Sequence, residues 1–179
     1  MTQIETKAPQ GSPFWRFSLR FYRQPGVAEA CIALQEEAGV DVNLLLFLLW
    51  HASTGRTFSQ DEVASFESKI GPWREATVIP LRDVRRALKV PPALVAGGTA
   101  EAFRTKIKAI ELEAERLQQE AMYELAASPL GRDVSAPEAA ARRNVAAYEA
   151  MRGLAFPKSA VETLMGAFLG MKASPGVAD

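Results

Sequence analysis

The chain has 179 residues, 48% of them hydrophobic and 23% charged, with 21 Lys+Arg set against 21 Asp+Glu. That length and apolar content suit one or at most two domains whose core needs no disulfide or metal staple, and they exclude disorder over the whole length. A formal net charge of zero and a pI of about 6.6 exclude the global basic excess that draws small proteins onto nucleic acid or anionic lipid, so any anion site must be a local patch.

Apolar spacing is helical almost throughout, which predicts an all-α protein. The first helix runs from Pro13 to about Arg23, with Ser12 as N-cap and Pro13 in the first turn. Its aromatic side carries Phe14, Trp15, Phe17, Phe21 and Tyr22, while Arg16, Arg20 and Arg23 fall within about 60° of one another on the other. A second helix starts at Pro25 and stops at Gly39, with Val27, Ala30, Cys31, Leu34 and Ala38 inside. The third, capped by Asp41, is apolar on every side from Leu44 to Trp50, the mark of a helix surrounded by others. Val42 to Ala52 is about half the ~20 residues of a membrane span and reads as the centre of a compact bundle.

Ser59 caps a fourth helix that Gly71 is expected to stop. Pro80 must then break or kink the next segment, leaving Leu81 to Lys89 as a helix with Arg82, Arg85, Arg86 and Lys89 within about 100° of one another. PPALVAGGT reads as a hinge. Thr99 opens a helix of ~28 residues and ~42 Å, with Phe103, Ile107, Ile110, Ala114, Leu117 and Ala121 as a heptad-like seam. SPLGRDVSAP turns the chain into Pro137 to Arg152, expected to return antiparallel as a long-helix hairpin, and Pro157 opens an amphipathic terminal helix. The implied organisation is a flexible start over 1–12, a bundle core over 13–92, a helical segment over 93–170 that packs on the core or a partner, and a flexible tail over 171–179.

One cysteine, Cys31, and one histidine, His51, permit neither an intramolecular disulfide nor a structural zinc set. No metal or cofactor is expected. Cys31, on an apolar face without a nearby cation, reads as a small buried hydrophobe. The polar start MTQIETKAPQGSP has no apolar h-region, so the expected location is the cytoplasm with no membrane span.

Asn43, Phe47, Trp50, His51 and Thr54 fall on one strip of the third helix. Asn43, Trp50, His51 and Thr54 are therefore candidate ligand contacts, His51 because an imidazole suits proton transfer near neutral pH. The plainer reading makes His51 and Thr54 polar residues of a last helical turn and Asn43 a helix-fixing amide. The stripes Arg16/Arg20/Arg23 and Arg82/Arg85/Arg86/Lys89 are candidate anion contacts. The alternative spends them as solvated faces or as partners of Glu29, Glu36, Glu37 and the glutamate-rich long helix. No phosphate loop, zincin or serine-hydrolase motif occurs, and no residue is assigned a catalytic role.

The stretch FWRFSLRFYRQPGVAEACIALQEEAGVDVNLLLFLLWHASTGR resembles a bacterial family of small helical proteins that is a domain of unknown function. The resemblance rests on Trp15, Leu19, Tyr22, Pro25-Gly26-Val27, Cys31, Leu34-Gln35, Gly39 to Asn43 and Leu44 to Trp50, with PWREATVIPLRDVRRALK similar to a second block. Together they cover about half the chain and carry over no activity. The leading expectation is a non-enzymatic helical interaction module, contacting another protein or itself through the long helix. Alternatives are a small-molecule binding protein or enzyme that uses the Asn43/Trp50/His51 strip, with anions among its candidate ligands, and regulatory nucleic-acid binding through the arginine stripes; a nucleic-acid partner is disfavoured.

Overall fold

The computed structural model describes residues 11–126, 132–133 and 136–173. The start up to residue 10, most of the SPLGRDVSAP turn and the tail SPGVAD lie outside the described residues.

Local signals place the first three helices. Ser12 Oγ accepts from Trp15 N at 3.1 Å and Pro13 begins α1 (Pro13–Tyr22). Helix α2 (Val27–Ala38) starts two residues later than expected, because Gly26 adopts φ 77° and Pro25 stays in the turn; that left-handed conformation is cheap only for glycine. Gly39, at φ 60°, closes α2. Asp41 then caps α3 (Val42–Ala52), whose residues Asn43 to Leu49 are all buried. Helices α1 and α2 cover α3 on one side.

The expected stop at Gly71 and break at Pro80 do not occur as breaks. Helix α4 (Gln60–Trp73), opened by a Ser59/Glu62 capping box, runs through Pro72. It continues as a π-helical turn, Arg74–Val78, directly into α5 (Ile79–Ala87). Pro80 cannot donate to Ala76 and would crowd its carbonyl in a regular α-helix. The wider turn, in which Ile79 N–H reaches back to Arg74 O, takes up that mismatch without ending the helix.

Helix α6 (Gly97–Leu125) begins at Gly97 rather than at a Thr99 cap. Its buried face is Ala100, Ile107, Glu111, Ala114, Gln118, Gln119 and Met122, rotated from the predicted seam. Phe103, Ile110 and Leu117 remain 52%, 52% and 43% exposed, because Asp41 and Asn43 at the start of α3 and the half-buried Arg82 and Arg85 of α5 draw Gln118, Gln119 and Glu111 inward. After a two-residue antiparallel pairing of Arg56–Thr57 with Arg132–Asp133, α7 (Pro137–Arg152) packs on α3 and α4 rather than along α6, and α8 (Lys158–Ala173) on α2. One apolar core thus joins Phe14, Leu34, Leu45 and Phe66 to Tyr148, Leu164 and Phe168, so segments 13–92 and 93–170 share it. No described helix is long and apolar enough to cross a membrane.

Candidate ligand-binding cleft

Where α1, α2, the start of α3, α5 and α6 meet, they enclose a cleft of about 790 Å³. Its inner end is organised by Asp41. Oδ1 accepts from Asn43 N at 2.8 Å and Leu44 N at 3.2 Å, capping α3. Oδ2 accepts from Arg74 Nη1 at 2.8 Å and Gln118 Nε2 at 3.0 Å. Asp41 N–H donates to Tyr148 Oη at 2.9 Å, and burial first, then the Asp41 charge, raises the Tyr148 phenol above its usual range. The Arg74 guanidinium also pairs with Glu67; those bonds to Glu67, then to Asp41, hold it firmly protonated against the opposing effect of burial.

Beside it Gln119 Nε2 donates to Asn43 Oδ1 at 2.7 Å. The Oε1 atoms of Gln118 and Gln119 and the Ser18 hydroxyl are buried without a hydrogen-bond partner, and all three residues line the cleft. Such atoms are costly unless something satisfies them.

Along the wall, Arg82 bonds Glu111 at 3.2 Å and Glu115 at 3.0 Å, while Arg85 grips Glu111 with Nε and, at 3.1 Å, with Nη2. Burial pulls the Glu111 carboxyl upward, but the bonds and charges of Arg85 and Arg82 outweigh it and leave it below its ordinary range. Glu115 moves the other way: burial raises it, and Arg82 only partly opposes this. Arg86 meets Glu36 at 3.1 Å.

The predicted cationic residues therefore divide. Arg23, Arg82, Arg85, Arg86 and Lys89 line this one cleft, while Arg16 donates to Gly11 O at 3.0 Å on the outer side and Arg20, exposed, lies outside the lining. Arg82 and Arg85 are engaged by the long helix. Arg23, Lys89 and Lys108 line the cleft with no ion pair or hydrogen bond from their side chains among the described residues.

The α3 strip is split along its length. Asn43 belongs to the cleft, whereas Trp50, His51 and Thr54 lie at the other end of the helix, beside a shallow hollow of about 480 Å³ shared with Pro13, Arg56, Tyr123 and Ala126. Seven or eight residues at 1.5 Å each separate the two ends by roughly 11 Å. The His51 ring packs edge-on to Phe47 at 4.5 Å and Phe58 at 5.2 Å. Its Nε2 is buried and unpartnered, and burial, with the Arg56 charge adding, lowers its pKa to about 4. Thr54 Oγ1 donates to His51 O at 2.9 Å. Trp50 stacks on Phe14 at 5.4 Å.

Sequence reasoning missed Arg74, Glu111, Glu115, Gln118 and Gln119 as cleft residues. Their signal was present in α6, where Glu111, Glu115 and Gln118 recur at spacings of four and three, the period of an inner helix face. Polar identity disguised it as a solvated side.

Residues 13–122 match the family described as Protein of unknown function (DUF2390), well over half of the chain. The chain belongs to DUF2390. No curated protein and no solved structure matches it. The DUF2390 match contains every residue named above in the cleft except Tyr148, which reaches Asp41 from beyond its end.

Proposed function

We propose that this DUF2390 protein is a small-molecule binding protein whose anionic ligand occupies the cleft. The observation that carries this is the set of cations Arg23, Lys89 and Lys108, which come from three separate segments onto one concavity without carboxylate partners among the described residues. A convergent group of polar side chains in an apolar cleft is the usual make-up of a ligand site. The unsatisfied Gln118, Gln119 and Ser18 atoms at the inner end add groups that a donor-bearing ligand or a water can satisfy. Thermal unfolding in a panel of organic and inorganic anions tests the reading: a ligand at 100 times its Kd adds about 2.7 kcal/mol. The added stability should vanish in Arg23→Ala/Lys89→Ala/Lys108→Ala. If no anion stabilises the protein, the reading fails.

A second reading, contact with another protein or a second copy, is favoured by the exposed heptad-spaced Phe103, Ile110 and Leu117 on α6. Light scattering on the wild type and on Phe103→Ser/Ile110→Ser checks self-association. A wild type that is monomeric at high concentration removes the second-copy form of that reading.

A further inference from the structure

Resting on the cleft as a ligand site, we infer that its ligand is an amphipathic anion, with a carboxylate or phosphate head on an aliphatic or aromatic body. The cations alone suit any small anion. What narrows the class is the wall between them and the buried amides. Tyr22 of α1, Ile32 of α2, Ile79 of α5 and Leu112 of α6 line the cleft and are 40%, 46%, 38% and 50% exposed. Scattered half-exposed apolar side chains are ordinary on a protein surface; four from four helices on one concavity are a binding wall. An inorganic anion leaves that wall in water, whereas an apolar body covers it and gains the corresponding transfer free energy.

The arrangement along α6 gives the ligand an orientation. Lys108 and Leu112 are one turn apart, and Gln119 lies eleven residues beyond Lys108, about 16 Å along the axis. Ser12 at the start of α1 bonds Glu120, and α5 descends from Arg82 at Glu115 to Arg85 O at Arg104, so both helices run antiparallel to α6 and carry Arg23 and Lys89 toward its Lys108 end. The head group belongs there, and the body lies against Tyr22 and Leu112, short of the Gln118 and Gln119 oxygens at the Asp41 end, which a water can satisfy. Arg82 and Arg85, neutralised by Glu111 and Glu115, form the side of this channel and contribute little net charge to it.

Calorimetric titration of the full chain with decanoate below its micellar concentration, alongside acetate, inorganic phosphate and decanol, tests the class. Decanoate is expected to bind about tenfold or more tightly than acetate and more tightly than decanol. Leu112→Ser/Ile32→Ser, at exposed positions whose change spares the fold, should remove the preference over acetate, and Lys108→Ala/Arg23→Ala should remove the preference over decanol. A further arm offers vesicles of anionic phospholipid. Transfer of a labelled acyl chain into the protein identifies a bilayer as the source, and retention in the vesicles identifies a free amphiphile; both accord with the class. Acetate or phosphate binding as tightly as decanoate overturns the class while leaving an anion site in place. Equal binding of decanol overturns the role of the charged head. Absence of binding by any of the probes removes both the class and the site.

Discussion

Arg74, the first residue of the π-helical turn, places Nη1 2.8 Å from the Asp41 carboxylate that caps the central helix. The contact ties the π-helical turn to the start of the central, buried helix. Asp41 is 5% exposed at its side chain and Arg74 18%, so removing the cation strands a carboxylate in the interior. Arg74→Met should therefore destabilise by about 3 kcal/mol. Glu67→Gln, which touches the outer side of Arg74, should cost about 1 kcal/mol or less. Urea denaturation curves for both variants check the ranking; equal losses contradict it.

Asn144 on α7 is a second structural anchor. Its Oδ1 accepts from Phe58 N at 2.8 Å, and its Nδ2 donates to Leu48 O at 2.9 Å and Arg56 O at 3.0 Å. One fully buried amide thus joins α7, the inside of α3 and the segment entering α4. Asn144→Leu keeps the approximate volume but removes the side-chain partner of Phe58 N–H and Arg56 O, while Leu48 O keeps its bond within α3; each group left unpaired where water cannot reach costs about 1–3 kcal/mol. The expected result is a fall in Tm of more than 5 °C, since roughly 1 kcal/mol shifts a domain of this size by about 2–4 °C. A differential scan gives the answer directly.

These two anchors mark what was legible in the sequence and what was not. The caps Ser12, Asp41 and Ser59, the apolar centre of α3 and the Gly39 stop depend on neighbours a few residues away, and their signals are readable. Arg74 and Asn144 act on partners 33 and 96 positions distant, and nothing local distinguishes them from surface residues. The same holds for α6. Its heptad spacing is visible, but choosing between Phe103/Ile110/Leu117 and Ile107/Glu111/Ala114/Gln118 as the inner face needs the positions of Arg82, Arg85 and Asp41. The uninterrupted run from α4 to α5 was hidden because a proline normally marks an end; only the π-helical turn reconciles it with a helix.

His51 makes stability depend on pH. Its folded pKa is about 4 against an ordinary 6.5, so the unfolded chain binds the proton more readily. The neutral ring's contribution is fully present above pH 6.5 and is lost as pH falls from 6.5 to about 4. The loss from this one group is on the order of 3 kcal/mol, at 1.36 kcal/mol per pKa unit. His51→Phe should flatten the stability profile between those limits, as read from unfolding free energies at several pH values. An unchanged slope overturns the assignment.

Cys31 should be inert to thiol reagents in the native state. It is fully buried in the core, and burial pushes its thiol up to about 12, so almost no thiolate exists at neutral pH. Labelling with a thiol-specific chromophore should be slow and should accelerate at the urea concentration that unfolds the chain. Rapid labelling of the folded protein contradicts this.

Tyr148 and Asn144 reach back to Asp41 and Leu48 from positions 107 and 96 residues further along the chain. During synthesis at about 5–20 residues per second, a helix that is apolar on all sides therefore waits roughly 5–20 seconds for the element that covers it. For that interval the nascent chain presents Leu45, Leu48 and Leu49 without α7, so the docking of α7 on the central helix belongs to the last stage of assembly, after nearly the whole chain has been made.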